Sequence, residues 1–330
     1  MPQTDTAPPR SPARSPGPAC WSYDHLPLPL PERHRYPRGR LRLVRETLLA
    51  EGTIVPERLA PCEPLDWGEL DRVHTPEYLG RLRTGTLPRA QELELGLPFS
   101  AELVTRARAT AYGTLQAARA ALREGAAANL GGGNHHGFAD RPAGYCLFND
   151  LALAIRHVQR EGLAERCAII DLDVHQGNGT ATIFARAPEV FTFSVHAASN
   201  WPYTKAQSDL DIALPDETGD AEYLAALERP LAGILERFRP DLVFYQAGVD
   251  PLHSDRLGRL ALTHAGLKAR DELVLTRCRT LRLPVVVTLG GGYAQPVSDS
   301  VEAHANTLRV LATVFAPAFG AEPVPCPSAR

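Results

Sequence analysis

The chain has 330 residues, with 35 basic and 38 acidic side chains, a formal charge of -3 and 44% hydrophobic residues. This composition is typical of a soluble globular protein and leaves room for one large domain or two smaller ones. The near-neutral charge argues against binding of nucleic acid or an anionic membrane by bulk electrostatics, and no run of about 18 apolar residues predicts a membrane span. We therefore expect neither nucleic acid nor a membrane among the partners.

The first 20 residues hold six prolines together with serines and arginines, and they lack the apolar stretch that a signal peptide needs. We predict a disordered tail over residues 1–19. No later break in composition marks a linker. We therefore expect one domain over residues 20–318, followed by a C-terminal tail over residues 319–330.

The six cysteines are spread along the chain without any CxxC pair. This spacing argues against a thiolate zinc site or a disulfide framework and favours free thiols in a reducing compartment. Together with the lack of a signal peptide, it predicts a cytoplasmic protein.

Apolar residues at helical spacing predict helices over residues 38–50, after Thr75, and over residues 99–124. Thr75 is the expected N-cap of the second helix, with Pro76 at its first position. Short apolar runs then predict buried strands at 126–130, 167–172, 190–195, 242–246 and 285–289. Further helical patterns lie at about 149–161, 221–238, 263–281 and 297–315. This alternation indicates βαβ units, and hence an α/β domain with a mostly parallel sheet flanked by helices.

Polar or glycine-rich segments follow all five predicted strands. GGGNHHG comes after Leu130, DLDVHQGN after Ile170, His196 after Val195, AGVD after Gln246 and GGGY after Leu289. In an open parallel sheet these strand ends lie at one edge, and ligands bind in the crevice that they form. We expect the five segments to converge on one site.

Asp173 and His175 carry the clearest chemical signal. Residues two apart on an extended segment send their side chains to the same side, so a carboxylate and an imidazole can bind one ion together. Asp250, at the end of another predicted strand, could supply a third ligand and leave positions open for water and substrate. An Asp-x-His triplet alone is as often structural, and the combination with Asp250 and the tandem histidines favours the metal site.

The tandem His135 and His136 could cap a polar loop, but the glycines before them suit a loop that places two imidazoles in a pocket. Tyr293 could be a packing residue or a hydroxyl donor that stabilises an oxyanion. The glycines before these histidines belong to no GxxxxGK[ST] or GxGxxG pattern, which argues against nucleotide binding.

The motifs GGGNHHG, GYCLFND, IIDLDVHQGNGTATIF, AGVDPLHSDRLGRL and GGGYA, in this order, resemble those of the zinc-dependent histone deacetylase superfamily. The resemblance covers roughly residues 21–315 and is strongest to the bacterial and class IV-like branch. It implies that residues 20–318 form a single arginase-like α/β catalytic domain. It also implies removal of an acetyl or longer acyl group from an acyl-lysine protein or peptide, or from a small acylated amine.

The resemblance further implies a role for individual residues. The metal ligands would be Asp173, His175 and Asp250, holding Zn²⁺ or, in some cells, Fe²⁺. His136 would be the general base for the attacking water, and His135 would assist it electrostatically. The oxygen of the substrate carbonyl would bind Tyr293.

Asp171 corresponds to the family's carboxylate that orients His135, and Asn178 stands where some members have an aspartate behind His136. An amide cannot stabilise an imidazolium as a carboxylate does, so we expect His136 to be less basic than in aspartate-bearing relatives. The class IV branch shares this QGN string.

The channel for the acyl group is implied to be walled by Gly144 and Tyr145 and gated by Leu257. Trp201 or Tyr203 would form the opposite wall. A leucine at the gate argues against a polyamine substrate, whose distal ammonium needs an acidic partner.

Two smaller features complete the resemblance. Ser194 and Val195, with backbone carbonyls of the metal-binding segment, correspond to a structural monovalent cation site, which implies K⁺. Asp255 is expected to cap a turn after Asp250 rather than to bind the metal.

Two other functions compete with this interpretation. Arginases and agmatinases share the fold but need further aspartates for a second metal, and Gly177 and Leu252 stand at those positions. A non-catalytic binder of acyl-lysine is a different class of hypothesis, but such proteins usually lose a ligand or the tyrosine, and none is missing here.

Overall fold

The computed structural model describes residues 17–316. Most of the two predicted tails lies outside this range. The first strand begins at Ala19, one residue before the predicted start of the domain.

One sheet of eight strands forms the centre of the described chain, and all of its strand pairs are parallel. The strands are β1 Ala19–Ser22, β2 Leu59–Pro61, β3 Ala126–Asn129, β4 Cys167–Asp171, β5 Val190–Ala197, β6 Leu210–Leu214, β7 Leu242–Gln246 and β8 Val285–Thr288. Their order across the sheet is β2-β1-β3-β8-β7-β4-β5-β6. The carboxyl ends of β3, β4, β5, β7 and β8, the strands whose ends were predicted to form the site, therefore lie at one edge.

In the described part of the chain, ten α-helices cover the sheet. They are α1 Arg40–Ala50, α2 Trp67–Leu70, α3 Pro76–Thr84, α4 Arg89–Leu95, α5 Ala101–Glu124, α6 Asp150–Arg160, α7 Asn178–Phe184, α8 Asp220–Phe238, α9 His264–Thr280 and α10 Val297–Phe315. Within residues 17–316, every helix is too short or too polar to cross a lipid bilayer.

The central strands are buried on both faces, which is why they are continuous apolar runs. On β7, Val243 and Tyr245 pack into a core with α1, α8, α9 and α10. Leu242 and Phe244 point the other way, into a second core with helices that include α5 and α6. The α/β class and the parallel sheet are confirmed.

The five predicted strands and seven predicted helices are present, with ends that differ by at most two residues. Thr75 caps α3 as expected, because its side chain accepts a hydrogen bond from the backbone N–H of Tyr78. Sequence analysis missed β1, β2 and β6. The last two are the edge strands, where burial on one side only produces no continuous apolar run.

Arg270 on α9 is fully buried and connects this helix to the carboxyl edge of the sheet. Its Nη1 donates to the carbonyl oxygens of Leu172, at 3.2 Å, and Gly248, at 2.6 Å. Its Nε and Nη2 both donate to Asp271, at 3.0 and 2.8 Å. The guanidinium thus holds the two segments that lead from β4 and β7 toward Asp173 and Asp250.

Asp271 is the counter-charge of this guanidinium and has two further donors. The hydroxyl of Tyr245 on β7 and that of Thr307 on α10 both donate to its carboxylate. The network therefore joins two helices and the sheet through charged groups that water does not reach.

We predict that Arg270→Leu lowers the free energy of unfolding by about 3–5 kcal/mol, because Asp271 loses its counter-charge while it stays buried. Urea denaturation followed by circular dichroism measures this. Lys268→Ala, on the exposed face of α9, is the control and should change stability by less than about 0.5 kcal/mol. Equal stability of the two variants would contradict a structural role for Arg270.

Candidate functional site

A cavity of about 650 Å³ opens at the carboxyl edge of the sheet. His136 follows β3, His175 follows β4 and Tyr293 follows β8, and all three line this cavity. The strand ends thus bring together side chains that are up to 157 residues apart in the sequence. Asp173 lines a smaller adjoining cavity that shares these three residues.

Asp173, His175 and Asp250 form a buried cluster. His175 Nδ1 lies 3.0 Å from Asp173 Oδ1 and 3.2 Å from Asp250 Oδ2. Backbone groups hold both carboxylates, since Gly291 N donates to Asp173 at 2.9 Å and Val174 N donates to Asp250 at 2.9 Å. The local turn after β4 and the loop after β7 therefore aim three potential ligands at one point.

These three side chains fit a divalent metal ion. Each offers one ligand atom, and the atoms lie within 4.8 Å of one another. Two neighbouring buried carboxylates are unfavourable unless a proton or a cation lies between them. Burial and the charge of Asp173 raise the pKa of Asp250 to about 7. Burial lowers the pKa of His175, but the two carboxylates outweigh it and raise this pKa to about 10. Two carboxylate oxygens and one imidazole nitrogen are donors that Zn²⁺ or Fe²⁺ accepts.

His135 lies behind this cluster and is paired with Asp171. Its Nδ1 donates to Asp171 Oδ2 at 2.6 Å, and its Nε2 lies 3.8 Å from Asp173 Oδ1. Burial lowers the pKa of His135, but the carboxylates of Asp171 and Asp173 outweigh this effect and raise it to about 9. The two carboxylates therefore favour the protonated form of this imidazole.

His136 differs from His135 in its hydrogen-bond partner and in its preferred protonation state. Its Nδ1 lies 2.8 Å from Asn178 Oδ1, which also accepts a hydrogen bond from Gly179 N. Because that oxygen is an acceptor, His136 carries its proton on Nδ1 and leaves Nε2 as the basic atom. Burial, followed by the positive charges of His135 and His175, lowers the pKa of His136 well below its ordinary value.

Hydrogen bonds to its backbone N–H and carbonyl groups hold Tyr293 in place. Its N–H donates to Asp255 Oδ2 at 2.5 Å, and its carbonyl oxygen accepts from Arg256 Nε at 3.2 Å. Burial raises the pKa of the Tyr293 phenol well above its ordinary value, so the hydroxyl keeps its proton.

Asp255 does cap a turn, as expected. Its Oδ1 accepts from Leu257 N at 2.8 Å and Gly258 N at 3.0 Å, while Oδ2 accepts from Tyr293 N. It is not among the residues that could hold the metal. The capped turn is thereby tied to the segment that carries the tyrosine, a connection that sequence analysis did not foresee.

The four residues predicted to form the channel all line the cavity, namely Gly144, Tyr145, Leu257 and Trp201. The ring of Trp201 meets that of His136 edge to face, with centroids 4.6 Å apart. Gly144 has φ +50°, and a Cβ there would lie 2.5 Å from the ring of His136. Glycine is therefore required for the wall to approach the histidine so closely. Tyr203 lines the same cavity but is 81% exposed.

Ser194 and Val195, the residues of the predicted monovalent cation site, are buried on β5 and line neither cavity described above. His196, which was expected to join the other segments at the site, is also buried on β5 and lines neither cavity, because the strand continues to Ala197. Ser194 pairs in register with Asp171 on β4. The K⁺ site stays a prediction.

Sequence analysis missed two polar residues that support the site. Gln246, the last residue of β7, donates to Asp173 Oδ2 at 3.2 Å. Asp150 accepts from the backbone N–H groups of Gly133 and Asn134, at 3.0 and 2.7 Å, and so holds the loop before the tandem histidines. A glutamine that ends an otherwise apolar strand was the available signal for the first residue. For Asp150 the sequence carries none beyond its position at a helix start.

Comparison with known proteins places this geometry in a family. The Histone deacetylase domain family matches residues 34–308. An uncharacterised protein of Picosynechococcus sp. is 44% identical over 298 residues, which cover 90% of this chain and 99% of the relative. Histone deacetylase 2 of Arabidopsis thaliana is 32% identical over 296 residues, which cover 85% of this chain and 76% of the relative.

The fold agrees with these matches. A crystal structure of an HDAC homologue complexed with SAHA superposes with a TM-score of 0.75 at 25% identity, covering 93% of this chain and 85% of the other. The domain match spans most of the chain, and a single α/β domain is the fold that the resemblance implied. The chain belongs to the histone deacetylase family.

Proposed function

We propose that the protein is a metal-dependent amidohydrolase that removes an acetyl or longer acyl group from a lysine side chain. One observation carries the proposal: His136, His175 and Tyr293 line one open cavity, and His175 belongs to a buried Asp-His-Asp cluster that could hold a metal ion. Amide hydrolysis needs an activated water, a proton carrier and a donor for the oxyanion, and these groups can supply all three. A cytoplasmic location stays a prediction.

We assign Asp173, His175 and Asp250 as the residues that hold Zn²⁺, with Fe²⁺ as the alternative. When bound, such an ion acidifies a water molecule and polarises the acyl carbonyl. The chain's own contribution is to fix the ligands before the ion arrives, through the backbone N–H groups on both carboxylates.

His136 is the residue that we assign as the general base. Its lowered pKa keeps the imidazole neutral at pH 7, and Asn178 holds the proton of the ring on Nδ1. The free Nε2 can take a proton from the attacking water and return it to the leaving amine. His135 stays cationic beside it, where a fixed positive charge favours the negative charge that develops on the substrate.

Tyr293 is assigned to the carbonyl oxygen of the substrate. A phenol that keeps its proton can donate a hydrogen bond to the oxyanion throughout the reaction. Asp255 acts on Tyr293 through the backbone and is therefore a positioning residue.

The first experiment combines turnover of an acetyl-lysine peptide with the zinc content of each variant. Tyr293→Phe should retain zinc and lose about 10²–10³-fold in kcat, because only the oxyanion donor is removed. Asp250→Ala should lose zinc, as measured by inductively coupled plasma mass spectrometry, and should therefore lose all turnover. Normal zinc binding by Asp250→Ala would refute the ligand set, and normal kcat of Tyr293→Phe would remove the tyrosine from the mechanism.

The assignment of His136 predicts a change in pH dependence. A general base works only when it is neutral, so kcat/KM falls as the pH drops through its pKa. Asn178→Asp places a carboxylate against Nδ1, which raises this pKa and should move the acidic limb of the profile to higher pH. Asn178→Ala removes the same hydrogen bond without adding charge and should not move the limb upward. An identical limb in the two variants would show that another group titrates.

The positioning role of Asp255 predicts non-additive kinetics. Asp255→Asn should lower kcat/KM by about 10–100-fold, because a displaced hydroxyl no longer meets the oxyanion. In the double variant with Tyr293→Phe, the Asp255 substitution should cause little further loss, since both changes remove one function. Additive losses would mean that Asp255 acts by a route other than Tyr293.

A further inference from the structure

The mouth of the cavity carries more positive than negative charge. Four arginines line it, Arg35, Arg141, Arg256 and Arg259, and the only carboxylate among the described lining residues is that of Glu94. A rim of this kind recognises anions, provided that its charges are not already paired within the protein.

Two of the four arginines are paired. Arg141 lies 3.0 Å from Asp140 and 3.9 Å from Glu94, and Arg259 lies 3.3 Å from Asp216. Their charge is largely compensated, so these two side chains contribute little to the recognition of an anion.

Arg35 and Arg256 differ, because neither forms an ion pair with any residue between 17 and 316. Both are exposed. Arg256 is held in place by neutral groups, since it donates to the backbone carbonyls of Tyr293, at 3.2 Å, and Arg35, at 3.3 Å. Both positive charges also act on Tyr145, where they oppose the rise in pKa that burial causes. Two uncompensated guanidiniums therefore flank the wall of the channel.

A groove of about 390 Å³ continues from this side of the mouth. It shares Arg35 and Arg256 with the main cavity and adds Arg38, which is exposed and has no carboxylate partner among the described residues. Glu32 is the one acidic residue that lines it, so three arginines face one carboxylate. A peptide whose lysine entered the channel could lay its neighbouring residues along this groove, because an extended chain advances about 3.3 Å per residue.

We propose that the substrate is an acyl-lysine segment of a protein with aspartate or glutamate next to the modified lysine. Guanidinium groups bind carboxylates in a planar, two-pronged geometry, and Arg35 and Arg256 line both the cavity and the groove beside it. The same charges repel a polyamine, in line with Leu257 at the gate. This inference rests on the proposed function, because it assumes that the lysine enters the cavity.

The experiment uses three labelled acetyl-lysine peptides that differ only in the residues flanking the lysine, which are glutamate, glutamine or lysine. Fluorescence anisotropy gives the Kd on zinc-loaded Tyr293→Phe protein, which consumes the peptide slowly. Release of acetate gives kcat/KM on the wild type. We expect the glutamate peptide to bind about three- to tenfold more tightly than the glutamine peptide, and the lysine peptide to bind least well. The differences should shrink toward unity at about 1 M salt.

Charge reversal identifies the residues responsible. Arg35→Glu should abolish or invert the order of the three Kd values. Arg186→Glu is the matched control, because Arg186 is exposed and lines none of the three cavities described here. The control should keep the wild-type order.

The outcomes separate this inference from the proposed function. Turnover of the glutamine peptide with equal Kd values for all three peptides would overturn the acidic substrate and leave the deacylase intact. Tightest binding of the glutamate peptide without turnover of any peptide would overturn the deacylase and support the rim as an acidic-peptide site. Failure of all three peptides to bind would overturn both.

Discussion

Buried negative charge is the constraint around which this site is arranged. The carboxylates of Asp171, Asp173 and Asp250 are all buried at one edge of the sheet, where an unpaired charge is strongly unfavourable. Hydrogen bonds from backbone N–H groups, such as that of Gly291 to Asp173, stabilise part of this charge. The imidazoles of His135 and His175 stabilise another part. What remains is a requirement for positive charge between Asp173 and Asp250. The three side chains that could hold a metal ion meet that requirement in the proposed function.

The fold supplies this arrangement because all the strands of the sheet are parallel and end at the same edge. Loops after four strands can then approach one point, but only if their backbones come very close to the carboxylates. A Cβ at Gly248 would overlap the carboxylate of Asp173, and one at Gly291 would overlap that of Asp250. Arg270 holds the same loops from behind through the carbonyl of Gly248. Precision at the site thus depends in part on residues such as Gly248 and Arg270, which line neither cavity.

Residues that line the cavity and residues that support it from behind differ in how far the sequence could predict them. His136, His175 and Tyr293 each follow an apolar run that is typical of a buried strand, so the rule for parallel sheets predicts from the sequence alone that they share one edge. Arg270 lies 98 residues from one of its carbonyl partners, and bonds to backbone atoms leave no pattern in side chains. The edge strands β2 and β6 were missed because half-buried strands lack the apolar run on which the prediction rested.

The charge of the side chains is negative at the Asp-His-Asp cluster and positive among the arginines that line the mouth of the cavity. In the proposals made here, the buried carboxylates favour a metal cation and arginines such as Arg35 favour an anionic ligand, while Tyr145 and Trp201 line the same cavity as these arginines. An acidic residue in place of Leu257 would form ion pairs with these arginines and neutralise their positive charge. Leucine forms no such pairs. Salt screens exposed charges far more than buried ones. Ionic strength should therefore weaken binding of the proposed acidic substrate and leave binding of the proposed metal ion almost unchanged.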